Sequence, residues 1–236
     1  MDVIKNYWSD LDTRLDKLIR CGFVKLPSLK EIDLMSIGKK ISNELGKLTF
    51  KELSVTHKSF LDYLEVNKYL TPKLYQLAIR NYNFNGEIAD QYHVARKVVP
   101  GDSKEQFRGH FDSHLFTIVF PIRIPHAVKN LDIGQLVYFS NIRNHPKNEL
   151  SNFISKLYFK RYASKKGIEK LSHNYKMGLE NFEDYQPILF LGNTTFHTNY
   201  PVSLNCSEPR ITLLAHYFDK SPKYGIGKIL RILRNR

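Results

Sequence analysis

The sequence predicts a mainly β protein that begins with a helical layer and carries a helical insertion between its strands. Apolar residues recur at helical spacing in the first third, whereas short apolar segments rich in aromatic residues dominate from about Gln91. With 236 residues, 42% of them hydrophobic, the chain is long enough for one domain with a full core. We expect one domain over 1–236, divided into a helical layer with one early strand at 1–90, a β core at 91–219, a helical insertion at 143–184 and a basic tail at 220–236.

The helical layer is predicted by apolar side chains that lie three and four residues apart. Ser28 and Glu31 form a Ser-x-x-Glu capping box, which is typical of a helix start. The turn-rich residues 81–86 then interrupt the helical pattern. The predicted helices span residues 2–20 and about 29–45, further helical pieces run from 60 to about 80, and the early strand spans 23–26.

The β core is predicted by short apolar segments that follow a turn at 100–103. Residues 143–176 interrupt these strands, because their apolar side chains recur at three and four and predict one amphipathic helix with a basic outer face. The predicted strands include 115–121, 136–139, 188–191 and 211–218, and the apolar stripe of the insertion consists of Leu150, Phe153, Ile154, Leu157, Tyr158 and Tyr162.

The net charge of +13 is concentrated in two segments. Residues 143–176 hold nine Lys and Arg against two Glu, and residues 220–236 hold six Lys and Arg and no acid, which accounts for the whole excess. A solvated face is the simpler explanation of either segment alone. Together they favour an anionic partner, with nucleic acid the less favoured choice and a small anionic molecule or anionic lipid the preferred ones.

The basic tail at 220–236 predicts peripheral contact with an anionic membrane surface, and its alternative is a helix docked on its own core. The N-terminus does not resemble a signal peptide, and no segment approaches the ~20 apolar residues of a membrane span. Two cysteines give no disulfide framework. We therefore expect a cytoplasmic protein, peripheral at the inner face of the membrane. The stripe of the tail consists of Ile226, Ile229, Leu230 and Leu233.

The residues with the most chemical information are His110-x-Asp112, a distant His197 and Arg210-x-Thr212. Alternate residues of a strand point the same way, so His110 and Asp112 are expected on one face of one strand, with His197 on another strand beside them. Two imidazoles and one carboxylate fill one face of an octahedral Fe(II) and leave the other face open. Arginine offers a two-pronged set of donors that suits a buried carboxylate.

This pattern resembles the Fe(II)/2-oxoglutarate-dependent oxygenases, and among them the phytanoyl-CoA-dioxygenase-like group. The resemblance covers roughly residues 20–219 and implies a distorted double-stranded β-helix, or jelly roll. It also implies Fe(II), 2-oxoglutarate and O₂, with hydroxylation of a substrate as 2-oxoglutarate is decarboxylated to succinate. The matching pieces are Cys21–Pro27, His110-x-Asp112 leading into Phe116–Val119, His197, and Arg210-x-Thr212.

The resemblance also assigns residue roles. The segment 92–99 departs from the family pattern, because it offers no matching tyrosine or lysine for the remaining cosubstrate contacts. The insertion either shapes the substrate pocket, as such insertions do in the family, or only packs on the core. As the resemblance implies, iron is bound by His110, Asp112 and His197, and 2-oxoglutarate by Arg210, the Thr212 hydroxyl and Thr117.

Other interpretations use the same residues. His110 and Asp112 could form a surface pair on a non-catalytic, nucleic-acid-binding jelly roll with His197 in its core, or the site could be a cupin type with another metal. His114 shares the parity of Asp112 and competes as a ligand. An Arg210 side chain directed into the core beside His197 favours the oxygenase over the non-catalytic protein. Four histidines lack a partner at ligand spacing and are expected to be solvated or structural: His126, His145, His173 and His216.

The substrate is predicted from a further similarity. Gly134–Phe139, followed by Glu149-Leu150 and Lys160–Gly167, is similar to bacterial hydroxylases of the acidic sugar Kdo in lipopolysaccharide. This implies an anionic, membrane-presented saccharide or glycolipid. An acyl-CoA or another phosphorylated metabolite is the alternative.

Overall fold

The computed structural model describes residues 3–52, 54–125 and 132–220. The predicted tail lies outside these residues except for Lys220, and so does His126. Within them, helices contain more residues than strands, and all strand pairs are antiparallel. The helices are Val3–Tyr7 (α1), Leu11–Cys21 (α2), Leu34–Leu45 (α3), Val55–Tyr63 (α4), Val66–Tyr69 (α5), Thr71–Tyr82 (α6), Glu149–Lys160 (α7) and Lys165–Ser172 (α8). The strands are Phe23–Lys25 (β1), Phe50–Glu52 (β2), Gln91–Val98 (β3), His114–Arg123 (β4), Leu136–Phe139 (β5), Gly178–Glu180 (β6), Ile188–Leu191 (β7), Phe196–Asn199 (β8) and Arg210–Asp219 (β9).

Two sheets form the β core. The larger has the strand order β1-β7-β4-β9-β3-β2, and the smaller has the order β6-β5-β8. The predicted segments in β4, β5, β7 and β9 are confirmed as strands, and so is the early strand β1. Strands β2 and β6 were not predicted, because three residues are too few to show an alternating pattern.

The helical layer is confirmed, but its helix boundaries differ from the prediction, and the pieces expected from 60 begin earlier, at Val55. The first predicted helix is two helices, because a turn at Trp8–Asp10 separates α1 from α2. Helix α3 starts later than expected, since Asp33 rather than Ser28 caps it and accepts a hydrogen bond from the Ser36 amide. The Ser28 hydroxyl instead donates to the Asp184 carbonyl. The Ser28 hydroxyl is thus hydrogen-bonded to the connection between β6 and β7 and does not cap the helix.

Strand β9 shows how the larger sheet divides its two faces. Ile211, Leu213 and Ala215 pack into the main core cluster together with the N-terminal helices. The alternate residues, beginning with Arg210 and Thr212, face the space between the two sheets. That inner space holds a separate apolar cluster, which consists of Val98, Val119, Ile124, Ile133, Leu136, Phe182, Ile188, Phe190, Val202 and Cys206.

The insertion differs from the prediction in number and in orientation. Asn148 caps α7 and Ser164 caps α8, so the expected single helix is two. Phe159 and Tyr162 are buried against the outer face of the smaller sheet. The rest of the predicted apolar stripe points to solvent: Leu150, Phe153, Ile154, Leu157 and Tyr158 are each at least half exposed. No helix among the described residues has the length and apolarity needed to cross a membrane.

Buried neutral histidines under the helical layer should make the fold sensitive to acid. Burial lowers the pKa of His57 to about 3 and that of His93 to about 4. Neither ring nitrogen of His57 has a hydrogen-bond partner among the described residues. Unfolded histidines titrate near ~6.5, so below that pH the unfolded chain binds more protons than the folded one. This stabilisation is present above the unfolded pKa and is lost as the pH falls towards the folded values.

We therefore expect the free energy of unfolding to fall from about pH 6.5 to about pH 4, by up to ~1.4 kcal/mol per pH unit for each such histidine. Urea unfolding at a series of pH values measures this slope. His57→Leu should flatten it, whereas the same change at the exposed His173 should not. Equal slopes for the wild type and His57→Leu would show that His57 does not carry the effect.

Candidate active site

Three side chains that can bind a metal converge at one end of the space between the sheets. His110, Asp112 and His197 each offer one ligand atom, and these atoms lie within 4.8 Å of one another. Oδ1 of Asp112 is 3.4 Å from Nε2 of His110 and 3.7 Å from Nε2 of His197. The His110 side chain is 49% exposed while the other two are buried, so the group opens to solvent on the His110 side.

The backbone holds the two histidines side by side. The amide of each donates to the carbonyl of the other, at 3.0 Å in both directions, so they form an isolated antiparallel bridge. His197 comes from β8 of the smaller sheet, as expected of a second strand. His110 and Asp112, however, do not lie on one strand, because β4 begins only at His114. They belong to an irregular segment that is fixed by this bridge and by the Asp112 amide, which donates to the Gly192 carbonyl.

Phe111, between two of these side chains, points the opposite way. Its ring packs on Phe159 of α7 and on Phe196, with ring centroids 5.0 and 5.5 Å apart. The Arg143 guanidinium lies over the Phe111 ring, 3.8 Å from its centroid. His110 and Asp112 therefore point one way and Phe111 the other, as in a strand. The insertion packs against the side that carries Phe111.

The second ring nitrogen of each histidine is occupied by a backbone carbonyl. Nδ1 of His110 lies 2.7 Å from the Arg108 carbonyl, and Nδ1 of His197 lies 3.2 Å from the Thr195 carbonyl. A carbonyl only accepts, so in the neutral form of each ring Nδ1 carries the proton and Nε2 keeps a lone pair. Burial also lowers the pKa of His197 to about 4, so its ring is neutral at pH 7. These are the features of a metal-binding imidazole.

Asp112 is oriented through its other oxygen. The Thr117 hydroxyl donates to Oδ2 at 2.5 Å, and Nδ1 of His216 lies 3.0 Å from that hydroxyl. Burial alone would raise the pKa of Asp112, but His197 and His216 beside it hold the pKa well below its usual range. The carboxylate is therefore ionised, with Oδ1 left to face the two Nε2 atoms. Thr117 can come this close because Gly192 has no side chain: a Cβ there would lie 2.8 Å from the Thr117 hydroxyl.

The remaining histidines are placed as follows. His114 stacks beside Tyr92 at 5.9 Å and beside His216 at 5.2 Å, and it does not belong to the group of three. His145 lies against the Tyr82 ring, and His173 is exposed. His216 is not solvated but takes the structural alternative, since it is buried next to Thr117. Strand parity could have revealed it, because His216 lies six residues after Arg210 on the same face of β9.

Arg210 is a buried cation whose hydrogen-bond acceptors are neutral. It is 3% exposed, and its guanidinium donates to the Gly134 carbonyl and, at 2.7 Å, to Oδ1 of Asn199. Its Nε has no partner among the described residues. Burial and the neighbouring Arg96 lower its pKa to about 9, while Glu105, which opposes this, is already paired with Arg96. Arg210 thus points into the core, beside the strand of His197, with its charge uncompensated.

Two further residues line the same face near Arg210. Thr212 is buried, and its backbone lies opposite Arg96 of β3 and Pro121 of β4. Arg96 occupies the strand in which the sequence offered no matching tyrosine or lysine. A second guanidinium therefore lies near that of Arg210, but Arg96 is paired with Glu105, so the excess positive charge at this end belongs to Arg210. Sequence reasoning missed Arg96, Asn199 and Gly134, although the alternation of β3 and β8 contains the first two.

The resemblance assigns Thr117 a role in binding 2-oxoglutarate. In the structure, however, its hydroxyl contacts Asp112 and His216. Thr117→Val removes the hydroxyl and keeps the volume, so the carboxylate loses its fixed orientation. We expect Fe(II) affinity to fall by about 10–100-fold, the usual cost of a lost outer partner. Equilibrium titration with Fe(II) under anaerobic conditions measures this. Thr198→Val is a matched control, because Thr198 is buried and its hydroxyl has no partner among the described residues. A raised 2-oxoglutarate requirement with unchanged iron affinity would show that Thr117 contacts the cosubstrate and does not orient Asp112.

No protein-family model matches the sequence, and comparison with curated proteins gives no match. Solved structures are similar in fold. The α-ketoglutarate-dependent non-haem epimerase SnoN from nogalamycin biosynthesis has a TM-score of 0.57 at 11% identity, over 93% of this chain and 86% of that one. A prolyl 4-hydroxylase from Phytophthora capsici has 0.55 at 11%, over 98% and 72%. A Pseudomonas putida prolyl-4-hydroxylase has 0.52 at 12%, over 89% and 95%. The chain therefore has the fold predicted for it, a double-stranded β-helix of two facing antiparallel sheets with helices packed on the larger one.

Proposed function

We propose that this protein is an Fe(II)/2-oxoglutarate-dependent dioxygenase that hydroxylates an anionic substrate. The observation that carries the proposal is a buried arginine without a carboxylate partner on the inner face that also presents two histidines and an aspartate. A buried unpaired charge is costly, so such an arginine implies an anion that completes the site. 2-Oxoglutarate has a carboxylate at each end, one for the metal and one for Arg210.

The donor set fits iron. His110, His197 and Asp112 would hold it, and their ligand atoms already lie close together, with each Nδ1 bound to a backbone carbonyl so that Nε2 is the atom left for the metal. When bound, iron and 2-oxoglutarate supply the O₂ chemistry that couples decarboxylation to hydroxylation of a substrate C–H bond. The chain contributes orientation: Thr117 fixes Asp112, and Phe190, whose ring centroid lies 4.9 Å from that of His197, keeps one side of the site apolar.

The non-catalytic, nucleic-acid-binding jelly roll is less well supported. It would leave Arg210 either exposed to a phosphate backbone or paired with an acid. Instead its guanidinium is enclosed, next to a solvent-open cluster of metal-binding side chains. A non-catalytic protein also gives no reason for His110 and His197 to hold their Nδ1 atoms against backbone carbonyls and leave both Nε2 atoms facing Asp112.

For the substrate we propose an anionic saccharide or glycolipid, with the lipopolysaccharide sugar Kdo as the leading choice and an acyl-CoA or other phosphorylated metabolite as the alternative. The sequence similarity at 134–139 and 160–167 supports the sugar. Apart from the proposed metal site, a solvent-open cleft of about 420 Å³ between α2 and β1 has basic side chains in its lining. Its wall includes Lys17 and Arg20, which form no salt bridge within the described parts of the chain, and its floor includes the stacked rings of Phe23 and Tyr138.

The proposed location follows from the proposed substrate. A cytoplasmic enzyme acting on a lipid-linked sugar would work at the inner face of the membrane. The basic tail at 220–236 supports such contact, because its sequence combines an apolar stripe at helical spacing with six Lys and Arg and no acid.

Anaerobic mixing of the protein with Fe(II) and 2-oxoglutarate tests the reaction class. We expect the weak visible charge-transfer band of the metal-bound chelate, and succinate release when O₂ is admitted. Stimulation of succinate release by a Kdo-containing glycolipid, against an acyl-CoA of equal concentration, tests the substrate. A folded protein that shows neither the band nor succinate would overturn the proposed function.

A further inference from the structure

The outer face of α7 is an apolar surface on an otherwise basic insertion. The α7 apolar face is defined by large side chains on one side of the helix, at positions i, i+3, i+4, i+7 and i+8. An ordinary surface helix buries such a stripe, and scattered single exposed residues need no explanation, but a contiguous stripe does. Its members and their exposed fractions are Leu150 (67%), Phe153 (54%), Ile154 (57%), Leu157 (59%) and Tyr158 (50%).

The helix is fixed from beneath by a different residue. Phe159 is 6% exposed, and its ring packs on Phe111 and Phe196. The α7 apolar face is therefore held outwards by the fold and is not a core stripe that has lost its partner. The capping box at Asn148 and Ser151 defines the start of the helix independently of any partner.

Basic side chains follow this face in the chain, at the end of α7 and along α8. Lys160, Lys165, Lys166 and Lys170 are exposed and take part in no salt bridge within the described ranges. The Arg161 guanidinium lies 3.7 Å from the centroid of the Tyr158 ring, which places a cation at the border of the apolar stripe. Over residues 143–176 there are nine Lys and Arg against two Glu.

The charge decides between the possible occupants. A second copy of the chain would bring the same basic segment against itself, because a twofold interface pairs identical surfaces. The segment 220–236 of the same chain is also basic, with six Lys and Arg and no acid. Both would meet like-charge repulsion. An anionic lipid surface offers the apolar layer for the stripe and the negative charge for its rim, as for helices that lie in a membrane interface.

We infer that the α7 apolar face is a docking surface for anionic phospholipid membranes, separate from the proposed catalytic site and from the basic tail. The inference concerns where the protein sits and does not depend on the reaction. It also assigns the insertion a role that neither of the two expected ones includes. Phe159 packs on Phe111 and Phe196, which neighbour His110 and His197 in the chain, so α7 contacts the segments that carry the proposed ligands.

Flotation of the full chain with lipid vesicles tests the inference. The wild type should bind vesicles that contain phosphatidylglycerol and bind phosphatidylcholine vesicles far less, and rising salt should weaken the binding. The double variant Phe153→Ser, Leu157→Ser should lower partitioning by about tenfold or more, since two large apolar side chains no longer leave water. Met35→Ser, Leu48→Ser is the matched control, because these two residues are 68% and 58% exposed elsewhere on the surface, and it should bind like the wild type.

Three results would overturn the inference. The first is wild-type partitioning by the Phe153→Ser, Leu157→Ser variant. The second is loss of binding only on truncation after Pro222, which would assign the contact to the tail. The third is a wild-type dimer that the variant converts to a monomer in light scattering. Circular dichroism of the variant must match that of the wild type, which is expected for exposed positions. Iron-dependent succinate release without vesicles should be unchanged, so failure here is distinguishable from failure of the proposed function.

Discussion

His110→Ala, Asp112→Ala and His197→Ala are each expected to abolish iron-dependent turnover of 2-oxoglutarate. Each change removes one of three ligand atoms that lie within 4.8 Å of one another, so the loss should exceed the ~10–100-fold cost of a lost outer partner. Succinate release and Fe(II) titration measure the two consequences. The fold should survive, because none of the three side chains belongs to the apolar clusters.

His114→Ala provides the control for these variants. His114 has the same spacing from Asp112 as His110 has, but its ring lies against Tyr92 and His216. It should therefore keep its iron. Wild-type succinate release by any variant of the three ligands would remove that residue from the proposed centre, and loss of iron in His114→Ala would add His114 to it.

Arg210→Leu is expected to raise the 2-oxoglutarate requirement sharply while Fe(II) binding changes little. Truncating one partner of a buried, hydrogen-bonded charge pair typically costs ~2–5 kcal/mol, which is about 30-fold or more in affinity. The steady-state KM for 2-oxoglutarate, with iron saturating, measures this change. Arg210→Lys should rescue it only in part, because an ammonium does not reproduce the two-pronged donor set.

Thermal unfolding of Arg210→Leu shows whether the variant is folded. Asn199 and the Gly134 carbonyl lose their donor in this variant, so a modest fall in thermal stability is expected. An unchanged KM in a folded variant would show that Arg210 does not bind the cosubstrate. The buried guanidinium would then need another anion.

The sequence predicted much of the β core, because strand parity and short apolar segments are local signals. β9 is an example: residues 211–218 form a short apolar segment, and strand parity places Arg210 and Thr212 on the same face. The same local rule misplaced His110 and Asp112 on a strand. Their positions depend on a bridge to His197, 87 residues away, and no local pattern contains that contact.

The insertion could not be predicted for a related reason. Its period identifies which side of the helix is apolar, but the period does not say what covers that side. Phe159 falls off the centre of the stripe and is nevertheless the residue that packs, since Phe111 and Phe196 lie beneath it. Likewise, Ser28 has the sequence of a helix cap, but its hydroxyl donates a hydrogen bond to the carbonyl of Asp184, which is distant in sequence.

The reciprocal hydrogen bonds between His110 and His197 hold the two ligands together without a metal ion. Backbone contacts also aim both rings, so the proposed iron would meet a site that the polypeptide has already formed. Iron would then join two points 87 residues apart in sequence and resist unfolding in proportion to its free concentration. The exposed edge of His110 leaves a path by which the ion can be exchanged without unfolding the chain, so the loaded fraction follows the supply of metal in the surroundings.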